Sequence, residues 1–132
     1  MKNVVQASSF ADPADLAAFK RAKARGLSDQ EAFRFGDNCV GRWGDATGEG
    51  TGPSCALPPE DWRPLGDKAH LANVRVCANR REVVCFLKDT MPARANIKNG
   101  CGIDLNPDAC AALGLHPPVL CAATWEWRVA EK

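Results

Sequence analysis

Carboxylates are the side chains of this chain best suited to chemistry. Asp89 opens the turn Asp89-Thr90-Met91-Pro92, directly after a β-rich run. Asp104 sits inside Ile103-Asp104-Leu105, just before Asn106-Pro107, a helix-starting pair. Two carboxyl groups facing one cleft can share acid and base work on a glycosidic bond. Each also has a plain structural role open to it. Asp89 can cap its own turn, and Asp104 can accept hydrogen bonds from loop amides.

Four tryptophans, Trp43, Trp62, Trp125 and Trp127, offer flat faces on which sugar rings could stack, or else core packing. The seven cysteines are Cys39, Cys55, Cys77, Cys85, Cys101, Cys110 and Cys121. None forms a Cys-x-x-Cys pair, and His70 and His116 stand in no ligand spacing, so no metal site is expected. All seven are disulfide candidates, which would imply an oxidising destination, and an odd count leaves one thiol free or for a partner chain. The alternative is that several are small buried hydrophobes in a reduced protein.

The bulk numbers exclude some classes. At 132 residues the length suits one domain. Net charge is +1, with no basic footprint for nucleic acid; Lys20, Arg21, Lys23 and Arg25 cluster as a solvated helix face would. No apolar run approaches the ~18 residues of a membrane span. The first ten residues lack the apolar stretch of an export signal and are expected to be mature sequence. No cofactor is expected.

The elements follow from spacing. Asp12-Pro13 starts a helix through Leu16, Phe19 and Ala22 that ends at Gly26. Ser28-Asp29-Gln30-Glu31 is a capping box for a second helix to about Phe35. Residues 1–35 are thus expected to be an N-terminal helical extension. A first strand is expected over 38–43, then a glycine-rich loop from Gly44 to Ser54 and a short turn over 58–62. Strands follow at 73–78 and 82–88. A two-residue turn at Asn79-Arg80 separates the faces of Cys77 and Cys85, while an odd loop centred on Arg81 places them opposite each other. A helix runs from Asn106-Pro107 to about Leu113, with Gly114 after it. In the last strand Cys121, Ala123, Trp125, Trp127 and Val129 alternate with polar residues, as in a half-buried strand.

The order of these signals resembles the double-psi β-barrel of the rare lipoprotein A, expansin and barwin families. The matching segments are Lys88-Asp89-Thr90-Met91-Pro92, Gly102-Ile103-Asp104-Leu105-Asn106 and Ala111-Ala112-Leu113-Gly114. Ala46-Thr47-Gly48-Glu49 resembles the family's Ala-Ser-Gly-Glu. The resemblance implies a mainly β fold with small α additions. A six-stranded barrel would occupy residues 36–132, and the two-residue hairpin turn would be preferred.

Some lipoprotein relatives cleave peptidoglycan, and by that resemblance Asp89 would be the acid/base with Glu49 in support. Leu57 stands where that family has a histidine, and Thr90-Met91 replaces its Arg-Gly. The chain is also similar to inverting endoglucanases on the same barrel, where Asp45 and Asp104 would be the pair. Expansins imply carbohydrate binding without cleavage. The short barrel without an export signal also resembles proteins encoded by phages. The expectation drawn is a non-catalytic, disulfide-stabilised component of a bacteriophage virion. Its partners would be other virion proteins or copies of itself, joined through inter-chain disulfides. A peptidoglycan-acting enzyme or carbohydrate-binding module of the cell envelope is the alternative.

Overall fold

In a computed structural model of the chain, residues 2–128 are described. Val129, expected to end the last strand, lies outside them. Six strands close into a barrel: β1 (Asn3–Ser9), β2 (Ser54–Leu57), β3 (Asn73–Ala78), β4 (Arg81–Thr90), β5 (Cys101–Leu105) and β6 (Leu120–Trp127). Around the barrel the order is β1-β5-β2-β4-β3-β6. β1 with β5 and β2 with β4 are parallel pairs; the other four pairings are antiparallel. Four helices connect them: α1 (Pro13–Ala24), α2 (Asp29–Ala32), α3 (Pro59–Trp62) and α4 (Pro107–Ala112). None of the described helices is long and apolar enough to cross a membrane.

Alternation builds the core. In β3, Val74, Val76 and Ala78 are buried while Asn73, Arg75 and Cys77 are half-exposed. In β5, Cys101, Ile103 and Leu105 are buried around Gly102 and Asp104. β2 is buried along its whole length, as a strand between β4 and β5 with loops packed over it must be. A smaller apolar cluster of Ala56, Met91 and Cys101, with Phe10 and Ile97, lies apart from the main core.

The first strand is not where the sequence suggested. Residues 38–43 form a loop with a single bridge, Val40 to Ala46. Cys39 takes a positive φ of 60°, which breaks an extended run. The barrel instead takes its first strand from Asn3–Ser9, which pairs with both β5 and β6. α1 and α2 are therefore inserted between β1 and β2, and the barrel begins ahead of them. Ser28 and Glu31 cap α2 reciprocally, as expected, but that helix closes at Ala32.

The hairpin register follows the two-residue turn. Asn79 and Arg80 both have positive φ, 54° and 60°, and Ala78 faces Arg81. Cys77 then pairs with Glu82, and Cys85 with Val74. Cys85 is buried and Cys77 half-exposed, so the two lie on different faces.

The disulfide expectation gains no support from the structure. All seven cysteines are free thiols, and five of them are buried. Burial pushes the Cys39 thiol up to about 11 and that of Cys110 up to about 12. These side chains act as small core residues. A thiol-specific reagent is expected to label Cys77 and Cys121 in the native protein and the other five only after denaturation. Rapid native labelling of five or more would contradict this packing.

Candidate functional site

The two carboxylate motifs of the sequence meet at one residue. Ala56 on β2 is in register with Asp89 on β4 and with Asp104 on β5. A bulge makes this possible. Cys55 faces Leu87, but its neighbour Ala56 faces Asp89, so Lys88 is the extra residue. Leu87 lies in the core, and plain alternation would have sent Asp89 after it. The bulge places Asp89 beside outward-facing Ala56 instead. With strands ~4.8 Å apart, the two aspartates are ~10 Å apart at Cα.

Their environments differ in detail and agree in direction. Burial pushes Asp89 up to about 6, and the nearby Asp37 and Asp104 charges push the same way. Backbone N–H groups of Thr90 (2.8 Å) and Arg42 (3.0 Å) donate to its Oδ1 and partly offset the shift. Asp104 is also raised, by burial first and then by Asp37, against the hydroxyl of Ser8, which donates to its carboxylate. Asp37 completes the group. Its carboxyl is raised, chiefly by burial, while the Cys39 N–H donates to it at 2.7 Å. Among the described residues, no cluster of three or more His, Cys, Asp or Glu is arranged to hold a metal ion.

Gly41 sets the Arg42 contact. A Cβ there would stand 2.0 Å from the Lys88 carbonyl oxygen, so only glycine lets the loop lie against β4. Gly41→Ala must push that loop away and lift the Arg42 N–H off Asp89. A loss of about 1–3 kcal/mol is expected from such overlap, read as a lowered Tm. An unchanged Tm would show that the loop does not lie against β4.

An aromatic cluster adjoins Asp89. Trp62 Nε1 donates to the Thr90 hydroxyl at 2.9 Å. Trp43 meets Trp62 edge-on at 5.3 Å and stacks on His70 at 5.5 Å. The Arg42 guanidinium lies 5.0 Å from the Trp62 ring and 5.8 Å from Trp43. Asp45 bonds to the His70 imidazole. Asp104 also lines a cavity of about 260 Å³ with Ser8, Met91, Asn96 and Lys98.

The expected site residues therefore divide. Asp89 and Asp104 are both in register with Ala56, while Asp45 is bonded to His70, which stacks on Trp43. Glu49 does not join: it lines a separate cavity of about 610 Å³ with Asp12 and His116. Of the tryptophans, Trp43 is half-buried, packed on the core and on Trp62 and His70, whereas Trp62 is 8% exposed and Trp125 2%, which makes them packing residues. Trp127 is half-buried against Trp125 on β6. Asp37, Ser8, Arg42, Thr90 and His70 were not singled out from the sequence. Only Asp37 carried a signal: an Asp bonding to the N–H two residues on is a turn habit of that side chain.

No protein-family model matches the chain, and no curated protein matches it by sequence. Solved structures do match. One is an expansin of Clavibacter michiganensis, a point mutant in complex with cellohexaose. It has 12% identity and a TM-score of 0.61, over 100% of this chain and 52% of that one. The apo form of the Clavibacter michiganensis expansin gives 13% and 0.60 over the same shares. The third is a Streptomyces papain inhibitor: 18% identity, TM-score 0.59, over 98% of this chain and 96% of that one. This chain spans about half the length of the expansins. Likeness at such identity shows the fold, a mostly β, six-stranded closed barrel of the double-psi, expansin-like kind with a few small helices.

Proposed function

We propose that this barrel is a non-lytic cell-wall carbohydrate-binding protein, with the polysaccharide lying across β4, β2 and β5. The observation that carries the reading is Asp89: a half-buried carboxyl raised to about 6, in register with Asp104 and joined to Trp43 through Arg42. A neutral Asp89 donates a hydrogen bond to a sugar oxygen, and Trp43 offers an apolar surface beside it. The expansin complexed with cellohexaose supports a sugar ligand for this fold.

Binding is favoured over cleavage because Asp89 lacks the supporting groups of the lytic lipoprotein pattern. Glu49, the carboxylate that pattern would place in support, lies in a different cavity. Leu57 stands where that pattern has a histidine, and its side chain is fully buried.

The test is co-sedimentation with microcrystalline cellulose and with purified peptidoglycan, beside an assay for released sugars. Retention on one polymer, stronger at pH 5 than at pH 8, without released product is expected. Failure to bind either polymer sinks the reading, and release of muropeptides or reducing ends would make the protein an enzyme. A second reading, inhibition of a cysteine protease, is favoured by the end-to-end match with the papain inhibitor. A papain assay decides it. The virion role expected from the sequence gains no support from the fold or from these neighbours.

A further inference from the structure

Asp89 is held by the backbone N–H of Arg42, which leaves the Arg42 side chain without a role. Arg42 precedes Trp43 in the loop after α2, and Arg63 follows Trp62 at the end of α3. The fold brings these two pairs together, because Trp43 meets Trp62 edge-on at 5.3 Å. The Arg42 guanidinium lies against both rings, 5.0 Å from Trp62 and 5.8 Å from Trp43. The Arg63 guanidinium lies 5.9 Å from the same Trp62 ring. Two cations thus flank one indole. Trp62 fixes them beside Asp89, since its Nε1 donates to the Thr90 hydroxyl at 2.9 Å.

The neighbouring acids are engaged elsewhere. Asp45 bonds to His70, and Asp61 pairs with Arg94. Glu60 accepts from the Arg94 N–H at 3.2 Å; it feels the Arg63 charge but makes no ion pair with it. Among the described residues, neither Arg42 nor Arg63 has an ion pair, and both are exposed. Asp89, raised to about 6, is mostly neutral at pH 5 and does not cancel their charge. A guanidinium lying on an aromatic ring has already lost part of its side-chain freedom, and its planar N–H fork matches a carboxylate.

Resting on the carbohydrate-binding reading of the Asp89 site, we propose that its polysaccharide carries carboxylates, and that Arg42 and Arg63 select it over neutral glycans. The two arginines are specificity residues at the edge of the site. Asp89 and Trp43 serve any sugar chain, charged or not.

The experiment is titration of the full chain at pH 5 with a galacturonate hexamer and with cellohexaose, and the readout is the ratio of the two affinities. Wild type favours the galacturonate hexamer about tenfold or more, about 1.4 kcal/mol, and less as salt is raised. Arg42→Gln keeps the backbone N–H to Asp89; it and Arg63→Gln each lower the ratio about threefold or more. Arg75→Gln removes a cation that is paired with Glu82 on β4, so it leaves the ratio unchanged. Co-sedimentation of the same variants with purified peptidoglycan tells two sources of carboxylate apart: a uronate chain if retention is unchanged, peptidoglycan itself if it falls. A wild-type ratio near one overturns the inference and leaves the Asp89 site standing. So does a ratio untouched by both Arg42→Gln and Arg63→Gln, or one that falls equally in Arg75→Gln. No binding of either hexamer or of peptidoglycan overturns the Asp89 site and this inference with it.

Discussion

Asn106→Ala is expected to destabilise the barrel by about 3–5 kcal/mol, the largest effect of any polar side chain in the fold. Asn106 is fully buried. Its Oδ1 accepts from Ser54 N–H and from Ala109 N–H, each at 2.9 Å. Its Nδ2 donates to the carbonyls of Thr47 and Gly52, each at 2.9 Å. One side chain thus caps α4, starts β2 and ties down the glycine-rich loop. Alanine leaves two buried N–H groups and two carbonyls without that partner. Each orphan costs about 1–3 kcal/mol, reduced where water can enter, and the cap alone is worth about 1 kcal/mol. Asn106→Asp keeps the acceptor but loses both donor bonds and buries a charge, so it should also be strongly destabilised, most of all at neutral pH. Urea unfolding measures both. A loss below about 1 kcal/mol for the alanine variant would mean that water replaces the side chain fully.

Asp89→Asn is expected to change both stability and binding through one proton. The folded-state value of Asp89, about 6, lies above the ordinary carboxylate value near 3.8. A raised value means that the fold favours the protonated form. That contribution is fully present below about pH 4 and is lost as pH rises through about 6. Wild type should therefore lose stability between about pH 4 and 7. The asparagine variant keeps the Oδ1 acceptor for Arg42 and Thr90 without the charge. It should exceed wild type in Tm at pH 8 and show a shallower decline, with Asp37 and Asp104 supplying what remains. Its polysaccharide binding should be independent of pH and equal to that of wild type at pH 5. Asp89→Ala, with no donor, should bind about tenfold more weakly, about 1.4 kcal/mol. If Asp89→Asn bound weakly at every pH, the ionised carboxylate would be the binding form and the assignment of the proton would be wrong.

The clearest sequence signals were local ones. Asp-Pro, Ser-x-x-Glu and Asn-Pro marked the starts of α1, α2 and α4: Ser28 and Asn106 cap through their side chains, whereas Asp12 makes no cap bond and Pro13 marks the start of α1. β1 was missed because it has only short partial alternation and pairs with strands near the other end of the chain. Residues 38–43 looked extended, yet Cys39 turns the chain there.

Site residues divided along the same line. Asp89 and Asp104 were visible as types in ordered motifs, since each stands in a recognisable run of β-forming residues. Their placement across Ala56 depends on one extra residue in β4, and nothing in Phe86-Leu87-Lys88-Asp89 announces a bulge. Glu49 had equally good motif support and falls into another cavity. The sequence by itself determined the helix starts and the alternating strands, because these rest on contacts within a few residues or on alternation along one strand, while the barrel class and the choice of hairpin turn came from the family resemblance. Only the tertiary structure decided which carboxyls share a face, which tryptophans stay accessible and what becomes of the thiols. Those outcomes depend on register between strands distant in sequence, and a shift of one residue sends every side chain to the other face.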